Sequence, residues 1–189
     1  MPDPMPERLF PVLVLGGTRS GKSRWAERLV QGAAADMAHP VCYLATAEPL
    51  DDEMSARIAL HRARRPAAWV THEEPVAVAE AIQHWGATHI VLVEYLTLLL
   101  SNWLRGDPDD ATLDERVETL ARAVHASAKP VVVVSNQVGS GLVPMHPLAR
   151  RYADWLGLMN QRMARGAARV YLTVAGRPLL LPPDPDGAP

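Results

Sequence analysis

The strongest constraint on this chain is the stretch Val12–Ser23, VLVLGGTRSGKS, in which a short apolar run breaks into glycines and ends in a lysine and a serine. It matches the phosphate-binding pattern G-x-x-x-x-G-K-S, in which backbone N–H groups surround phosphate oxygens, the lysine reaches the outer phosphates and the hydroxyl ligates Mg²⁺. The apolar run is typical of a buried parallel strand, and the following residues continue at helical spacing, so that a helix N-terminus points at the phosphates. We therefore expect phosphate contacts from Gly16, Gly17, Thr18, Arg19, Ser20, Gly21, Lys22 and Ser23.

Lysine usage makes an accidental match to this pattern less plausible. The chain contains only two lysines, Lys22 and Lys129, beside many arginines. A compact ammonium suits a triphosphate as a point charge, so a chain that otherwise uses arginine keeps a lysine where phosphate chemistry requires it. The alternative, a glycine-rich turn before an ordinary helix, is disfavoured by the strand and helix on either side.

Apolar runs alternate with helix-like stretches along the whole chain. The pattern predicts strands at 12–15, 41–46, 89–94, 130–135 and 169–174, and helices near 22–35, 51–65, 75–85, 112–128 and 146–165. Because the strand runs are apolar throughout, they favour an α/β fold of the P-loop NTPase-like (RecA-like) class: a three-layer sandwich with a mainly parallel sheet and helices on both faces. We expect a flexible N-terminus at 1–10, a single domain over 11–176, and a proline-rich tail at 177–189 with a disordered end.

The composition argues against several classes of protein. A formal net charge of −2 gives no basic field for nucleic acid, so a small anion is the expected partner. The single cysteine, Cys42, lies in an apolar run and suits a reducing compartment. The first ten residues do not resemble a secretory signal, and no apolar run reaches membrane-spanning length. We therefore expect a cytoplasmic protein without stable membrane insertion.

Glu94 is the first candidate partner of the phosphate-binding loop. In an open α/β sheet, ligands gather at the carboxyl ends of the strands, and Glu94 ends the run Ile90–Glu94. P-loop proteins carry an acidic residue at this place, which orients Mg²⁺ or its waters. A glutamate there acts through a water or as a base toward an acceptor hydroxyl. The alternative is a strand-end carboxylate that faces solvent.

His61 is the second candidate, on the predicted helix 51–65. Arg57 lies one turn before it, and Arg64 and Arg65 follow it. Arginine forks bind phosphate oxygens, neutral imidazole can attack phosphorus, and neighbouring cations favour the neutral ring. The pattern alone leaves two interpretations open, a nucleophile or an ordinary surface histidine on a charged helix.

Several motifs together resemble one enzyme family. They are GGTRSGKSRWAE at the loop, YLATA at 43–47, DDEMSARIALHRARRP at 51–66 followed by Trp69, EYLT at 94–97 with Ser101 and Asn102, SNQVGSGLVP at 135–144, and LARRYAD at 148–154 with Gly157, Asn160 and Gln161. In this order, from about residue 11 to 175, the chain resembles the bifunctional adenosylcobinamide kinase/adenosylcobinamide-phosphate guanylyltransferase family of cobalamin biosynthesis.

The resemblance implies two reactions and assigns residues to them. The first phosphorylates the aminopropanol hydroxyl of adenosylcobinamide with ATP or GTP, and the second transfers GMP from GTP to that phosphate, giving adenosylcobinamide-GDP and pyrophosphate. The second reaction is implied to pass through a GMP–histidine intermediate, and His61 is the only histidine in the matching helix. Lys22, Glu94, and Ser23 with Mg²⁺ are implied to serve the triphosphate, and the protein is implied to be a homotrimer. Further nucleotide contacts are expected at Thr46, Ala47, Glu48, Arg65 and Glu73.

Three positions depart from the family pattern. Gln137 stands where the family usually has glutamate, Tyr95 where it has cysteine, and Ala153 where arginine is common. These changes bear on the kinase half, corrinoid contacts and trimer packing more than on nucleotide binding.

Two other functions stay open: a P-loop kinase of another small alcohol, which needs no histidine nucleophile, and a nucleotide-gated binding protein. The latter is disfavoured because the chain lacks the Asn-Lys-x-Asp run of GTPase switches.

Overall fold

The computed structural model describes residues 9–49, 51–63, 65–141 and 143–183. Its strands are β1 (Val12–Gly16), β2 (Val41–Ala45), β3 (Val70–Glu73), β4 (Ile90–Glu94), β5 (Val131–Asn136), β6 (Arg169–Val174) and β7 (Arg177–Leu180). They form one seven-stranded sheet in the order β3-β2-β4-β5-β1-β6-β7. All neighbouring strands are parallel except β6 and β7, which are antiparallel.

Helices cover both faces of this sheet. They are α1 (Lys22–Met37), α2 (Asp52–Ala63), α3 (Val78–Trp85), α4 (Leu96–Leu104), α5 (Asp110–His125) and α6 (Pro147–Arg165). One apolar core lies between α1 and the sheet, and a larger one lies between the sheet and α3, α4, α5 and α6. This arrangement confirms the predicted fold class.

The central strands show why their sequences are apolar without interruption. In β4, Val91 and Val93 enter the larger core, whereas Ile90 and Leu92 enter the core under α1. Each side chain is therefore buried whichever face it points to, as parallel strands covered on both faces require. All five predicted strands are present with boundaries within one or two residues.

Three elements were not predicted from the sequence. The strand β3 is a short edge strand with half-exposed and exposed side chains, so its residues lack an apolar run. The helix α4 begins two residues after β4 and is apolar on nearly all sides, so its sequence shows no helical period. The strand β7 contains Pro178, which an outer edge position tolerates, and it occupies the start of the segment that we treated as a tail.

Some of the sequence predictions concern residues that the structure does not describe. These residues are 1–8, 184–189 and Arg64. Within the ranges that the structure describes, no helix is long and apolar enough to cross a membrane.

Candidate nucleotide and phosphoryl-transfer site

The phosphate-binding loop joins β1 to α1, as expected, and its shape depends on glycine. Gly21 has a φ of 95° and immediately precedes α1, so the first N–H groups of the helix face the loop. A Cβ on Gly16 would overlap Thr173 Oγ1 and Ser20 Oγ, whereas one on Gly17 would face open space. Thr18 and Arg19 form an exposed tip. The loop is closed on the protein side and open on the other, as an anion site requires.

Lys22 lies across the base of this loop. Its Nζ donates to the carbonyl oxygen of Gly17 at 3.4 Å and lies 5.7 Å from the centroid of the Tyr95 ring. Burial lowers the pKa of Lys22 below its usual value, although the nearby carboxylate of Glu94 partly opposes this shift. The ammonium is therefore held between the loop and the end of β4.

Glu94 is buried rather than solvent-facing, which excludes the alternative that the sequence left open. Ser23 Oγ donates a hydrogen bond to Glu94 Oε1, while Glu94 Oε2 is buried with no hydrogen-bond partner among the described residues. Burial raises the pKa of Glu94 to about 7, although the Ser23 hydrogen bond and the charge of Lys22 lower it. The second carboxylate oxygen is thus ready for a proton or a cation.

Thr46 fixes the segment that follows Glu94. Its side chain is fully buried, and its Oγ1 accepts from the Tyr95 N–H at 2.8 Å and lies 2.8 Å from the Tyr95 carbonyl oxygen, to which it donates. The Thr46 N–H donates to the Glu94 carbonyl at 3.0 Å. The hydroxyl of Thr46 is engaged with backbone groups, so the structural role seen here is to position Glu94.

The next residues are tied to α4. Glu48 forms an ion pair with Arg105, which also donates to Asn102 Oδ1 at 2.7 Å. Asn102 Nδ2 in turn donates to the Thr46 carbonyl at 2.9 Å. The turn after β2 is therefore held by the helix that follows β4.

His61 faces a pocket between α2 and the ends of β2 and β4. Five of the predicted site residues line this pocket: Ala47, His61, Arg65, Glu73 and Glu94. Glu94 joins the pocket to the phosphate-binding loop, because it also binds Ser23. None of the α2 side chains that the structure describes is fully buried.

Arg65 lies just beyond α2, which ends at Ala63 rather than at the predicted residue 65. Its Cζ lies 3.5 Å from the centroid of the Tyr43 ring, and its Nη1 donates to Thr71 Oγ1 at 3.2 Å. Arg65 Nε is buried with no partner in the described part of the chain. A stacked guanidinium with an unused donor in a pocket is suited to a phosphate oxygen. Glu73, by contrast, pairs at the surface with Arg62.

Sequence reasoning missed several residues that shape the site. Tyr43 supports Arg65, Arg105 pairs with Glu48, and Thr173 contacts Ser20. Tyr43 was noted only as the first residue of the YLATA motif, and Thr173 lies inside an ordinary strand and carried no local signal. Asn102 was noted only as part of a motif.

The loop, the buried carboxylate and the His61 pocket occur in a chain with clear relatives. The family model described as cobinamide kinase / cobinamide phosphate guanyltransferase matches residues 12–181. The bifunctional adenosylcobalamin biosynthesis protein CobP of Pseudomonas aeruginosa is 46% identical over 174 residues, which cover 92% of this chain and 98% of that protein. The bifunctional adenosylcobalamin biosynthesis protein CobU of Salmonella typhimurium is 37% identical over 182 residues, covering 87% of this chain and 96% of that protein. The CobU protein of Escherichia coli is 38% identical over 178 residues, with the same coverage.

A comparison with solved structures supports the fold. The crystal structure of the flagellar accessory protein FlaH from Methanocaldococcus jannaschii superposes with a TM-score of 0.50 at 13% identity, covering 90% of this chain and 76% of that one. At this low identity the likeness concerns the architecture alone. It agrees with a RecA-like sheet flanked by helices.

Proposed function

The chain belongs to the cobinamide kinase/cobinamide phosphate guanyltransferase family, and on this premise we propose that one site carries out both transfers on adenosylcobinamide. The protein is a bifunctional transferase of adenosylcobalamin biosynthesis. The observation that carries the proposal is the position of Glu94, which binds Ser23 of the phosphate-binding loop and lines the pocket that His61 faces. A triphosphate on the loop and an acceptor in the pocket would meet at this carboxylate.

In the first transfer, the aminopropanol hydroxyl attacks the γ-phosphorus of ATP or GTP. The bond to the bridging oxygen breaks, and a nucleoside diphosphate leaves. The hydroxyl proton passes to Glu94, directly or through a water, because this carboxylate lies between the phosphate-binding loop and the pocket. Lys22 and the loop N–H groups stabilise the charge that develops on the leaving diphosphate.

Mg²⁺ fits the pair formed by Ser23 and Glu94. A hydroxyl and a carboxylate are oxygen ligands of the kind that Mg²⁺ prefers, and Glu94 Oε2 is buried with no partner among the described residues. These two residues would hold the ion beside the phosphates. When bound, it would neutralise charge on the triphosphate.

In the second transfer, the imidazole of His61 attacks the α-phosphorus of GTP, and pyrophosphate leaves. A phosphate oxygen of adenosylcobinamide phosphate then attacks the GMP phosphorus, the P–N bond breaks, and the imidazole is restored. Arg65, stacked on Tyr43 at the edge of the same pocket, is positioned to bind an α-phosphate oxygen. The covalent intermediate allows GTP and the corrinoid to use one surface in turn.

We assign secondary roles to the remaining candidates. Ala47 and Glu73 line the pocket and are proposed nucleotide contacts, whereas Thr46 and Glu48 hold the segment on which the pocket is built. The backbone of Gln137 is bound to the phosphate-binding loop, since its N–H donates to the Gly16 carbonyl at 3.2 Å. From the family resemblance we further propose a homotrimer in the cytoplasm, which sedimentation velocity and cell fractionation would test.

Labelling with radioactive GTP tests the proposed function. The protein is incubated with α-³²P-GTP and Mg²⁺ without a corrinoid, and we expect label on the protein that is acid-labile and alkali-stable. His61→Ala should abolish it, whereas the control His84→Ala, on the exposed face of α3, should retain it. The label should then move to adenosylcobinamide phosphate when that acceptor is added.

Two results would contradict this account. If adenosylcobinamide-GDP forms without any protein-bound label, GMP is transferred directly. If nucleotide turnover depends on another alcohol and not on adenosylcobinamide, the protein is a kinase of a different acceptor. Product analysis after reaction with γ-³²P-ATP and adenosylcobinamide tests the second case, and the α-³²P-GTP labelling tests the first.

A further inference from the structure

The hairpin formed by β6 and β7 packs directly against the phosphate-binding loop. The Gly176 N–H, in the turn of this hairpin, donates to the Ser20 carbonyl at 2.8 Å. Ser20 Oγ lies 3.0 Å from Thr173 Oγ1, and both side chains are buried. The loop is therefore bound to a segment that lies more than 150 residues further along the chain.

The direction of these hydrogen bonds follows from the number of protons. Thr173 Oγ1 donates its single proton to the Leu15 carbonyl at 2.9 Å, so it can only accept from Ser20. The Ser20 N–H donates to the Gly17 carbonyl at 3.2 Å. The hydroxyl, N–H and carbonyl of Ser20 are thus all paired within the protein, and Ser20 contributes to the loop through its shape.

Close packing at both ends of the loop also indicates that the hairpin determines the shape of the loop. A Cβ on Gly16 would overlap Thr173 Oγ1, and a Cβ on Gly21 would lie 3.0 Å from the Cα of Gly176. The loop also contains two residues with positive φ, Arg19 at 58° and Gly21 at 95°. Glycine adopts positive φ freely, but this conformation is costly for Arg19 unless its surroundings determine the backbone. The hairpin supplies those surroundings.

We propose that Thr173 is a positioning residue for nucleotide binding, which acts through Ser20 to hold the phosphate-binding loop in its binding conformation. Preorganisation strengthens binding because less conformational entropy is lost when the ligand arrives. Because the hairpin acts on the loop that holds the phosphates, ATP and GTP are affected alike. The inference rests on the proposed function only in taking a nucleoside triphosphate as the ligand.

Two substitutions of Thr173 separate its hydroxyl from its shape. Thr173→Val keeps the branched side chain but removes the acceptor of Ser20 and the donor to Leu15, whereas Thr173→Ser keeps both. We expect Thr173→Val to raise the Kd of ATP and of GTP about tenfold, measured by titration calorimetry without a corrinoid, and Thr173→Ser to stay within about twofold of the parent. The KM for nucleotide should rise in parallel, with the KM for adenosylcobinamide unchanged.

A matched control and a second variant keep the test decisive. The Ser127 hydroxyl also donates to backbone carbonyls, those of Gly86 and Lys129. It lies before β5, at the amino ends of the strands and away from the phosphate-binding loop. Ser127→Ala should lower the melting temperature without changing either Kd. If Thr173→Val does not fold, Ser20→Ala removes the same hydrogen bond from the loop side. It should weaken the binding of ATP and of GTP to a similar extent. If both variants fold, the loss of binding free energy in the double variant should be smaller than the sum of the two single losses.

Hydrogen exchange gives a readout that general destabilisation would not produce. In Thr173→Val, amides of residues 16–23 should exchange faster while those of β4 and β5 keep their protection. Unchanged Kd values for both nucleotides in a folded Thr173→Val protein would overturn the proposal, as would equal effects of the valine and serine variants. Because binding is measured without an acceptor, the result is independent of whether either transfer to the corrinoid occurs.

Discussion

Ser23 Oγ donates to one carboxylate oxygen of Glu94, while the other oxygen of Glu94 is buried with no partner among the described residues. One carboxyl group therefore touches the first turn of α1 and also lines the pocket that contains His61. Its environment favours the protonated form, because burial outweighs the effects of Ser23 and Lys22. This buried carboxylate oxygen therefore needs a partner, which a substrate group, a cation or a proton can supply.

Glu94→Gln is expected to stabilise the metal-free protein at pH 8 and to change its stability little at pH 4. Burial raises the pKa of Glu94 from 4.5 to about 7, so between these values the folded protein holds a proton that the unfolded chain has lost. The free energy of unfolding consequently falls as the pH rises through this window, and glutamine removes that loss. The expected gain at pH 8 is about 3 kcal/mol, from 1.36 kcal/mol per pKa unit. Urea unfolding in EDTA between pH 4 and pH 8 measures it.

The control for this experiment is Glu118→Gln, which neutralises an exposed carboxylate on α5. It should give the same small change in stability at each pH. A difference between Glu94→Gln and the parent that does not vary with pH would contradict the assigned pKa.

His61→Asn is expected to separate the two transfers. Asparagine keeps a polar side chain on α2 but offers no ring nitrogen for attack on phosphorus, so guanylyl transfer should fall by at least about a thousandfold. Phosphorylation of adenosylcobinamide should stay within about threefold of the parent, because Lys22, Ser23 and Glu94 are untouched. Chromatographic separation of the mono- and diphosphate products measures both rates. Equal loss of the two activities would argue that His61 binds nucleotide rather than attacking it.

The two lysines of the chain offer a matched pair for testing phosphate binding. Lys22 lies at the carboxyl edge of the sheet, whereas Lys129 lies at the opposite edge, with its Nζ 3.0 Å from His39 Nε2. Lys22→Met should raise the Kd for GTP about a hundredfold, because a charged hydrogen bond to phosphate is lost. Lys129→Met should leave it unchanged. Equal Kd values for the two variants would place the triphosphate elsewhere.

The parts of the site that could be predicted are those encoded by consecutive residues. The loop at 16–23 and the carboxylate at Glu94 follow from a motif and from the end of an apolar run, and the structure brings Ser23 and Glu94 together. The assignment of His61 as a nucleophile required the family resemblance, because a histidine among arginines on a helix is ordinary in itself.

What could not be predicted depends on contacts between distant segments. Arg65 acquires its position from the ring of Tyr43, and Ser20 acquires its partner from Thr173, 153 residues away. No local pattern encodes either pair. The helix α4 escaped prediction for a different reason, since a helix buried on nearly all sides shows no apolar stripe.

Thr46→Val is expected to weaken both the fold and the kinase reaction, although valine matches threonine in shape. Thr46 Oγ1 accepts from the Tyr95 N–H and donates to the Tyr95 carbonyl, both at 2.8 Å, and valine removes both bonds from the segment that carries Glu94. The free energy of unfolding should fall by about 2 kcal/mol. Thr46→Ser, which keeps both bonds and loses one methyl group, should retain kcat for phosphorylation, whereas Thr46→Val should lower it about tenfold because Glu94 loses its fixed position. Urea unfolding and initial-rate kinetics at saturating ATP measure these effects. A valine variant with the serine variant's kcat would show that Glu94 is positioned without this hydroxyl.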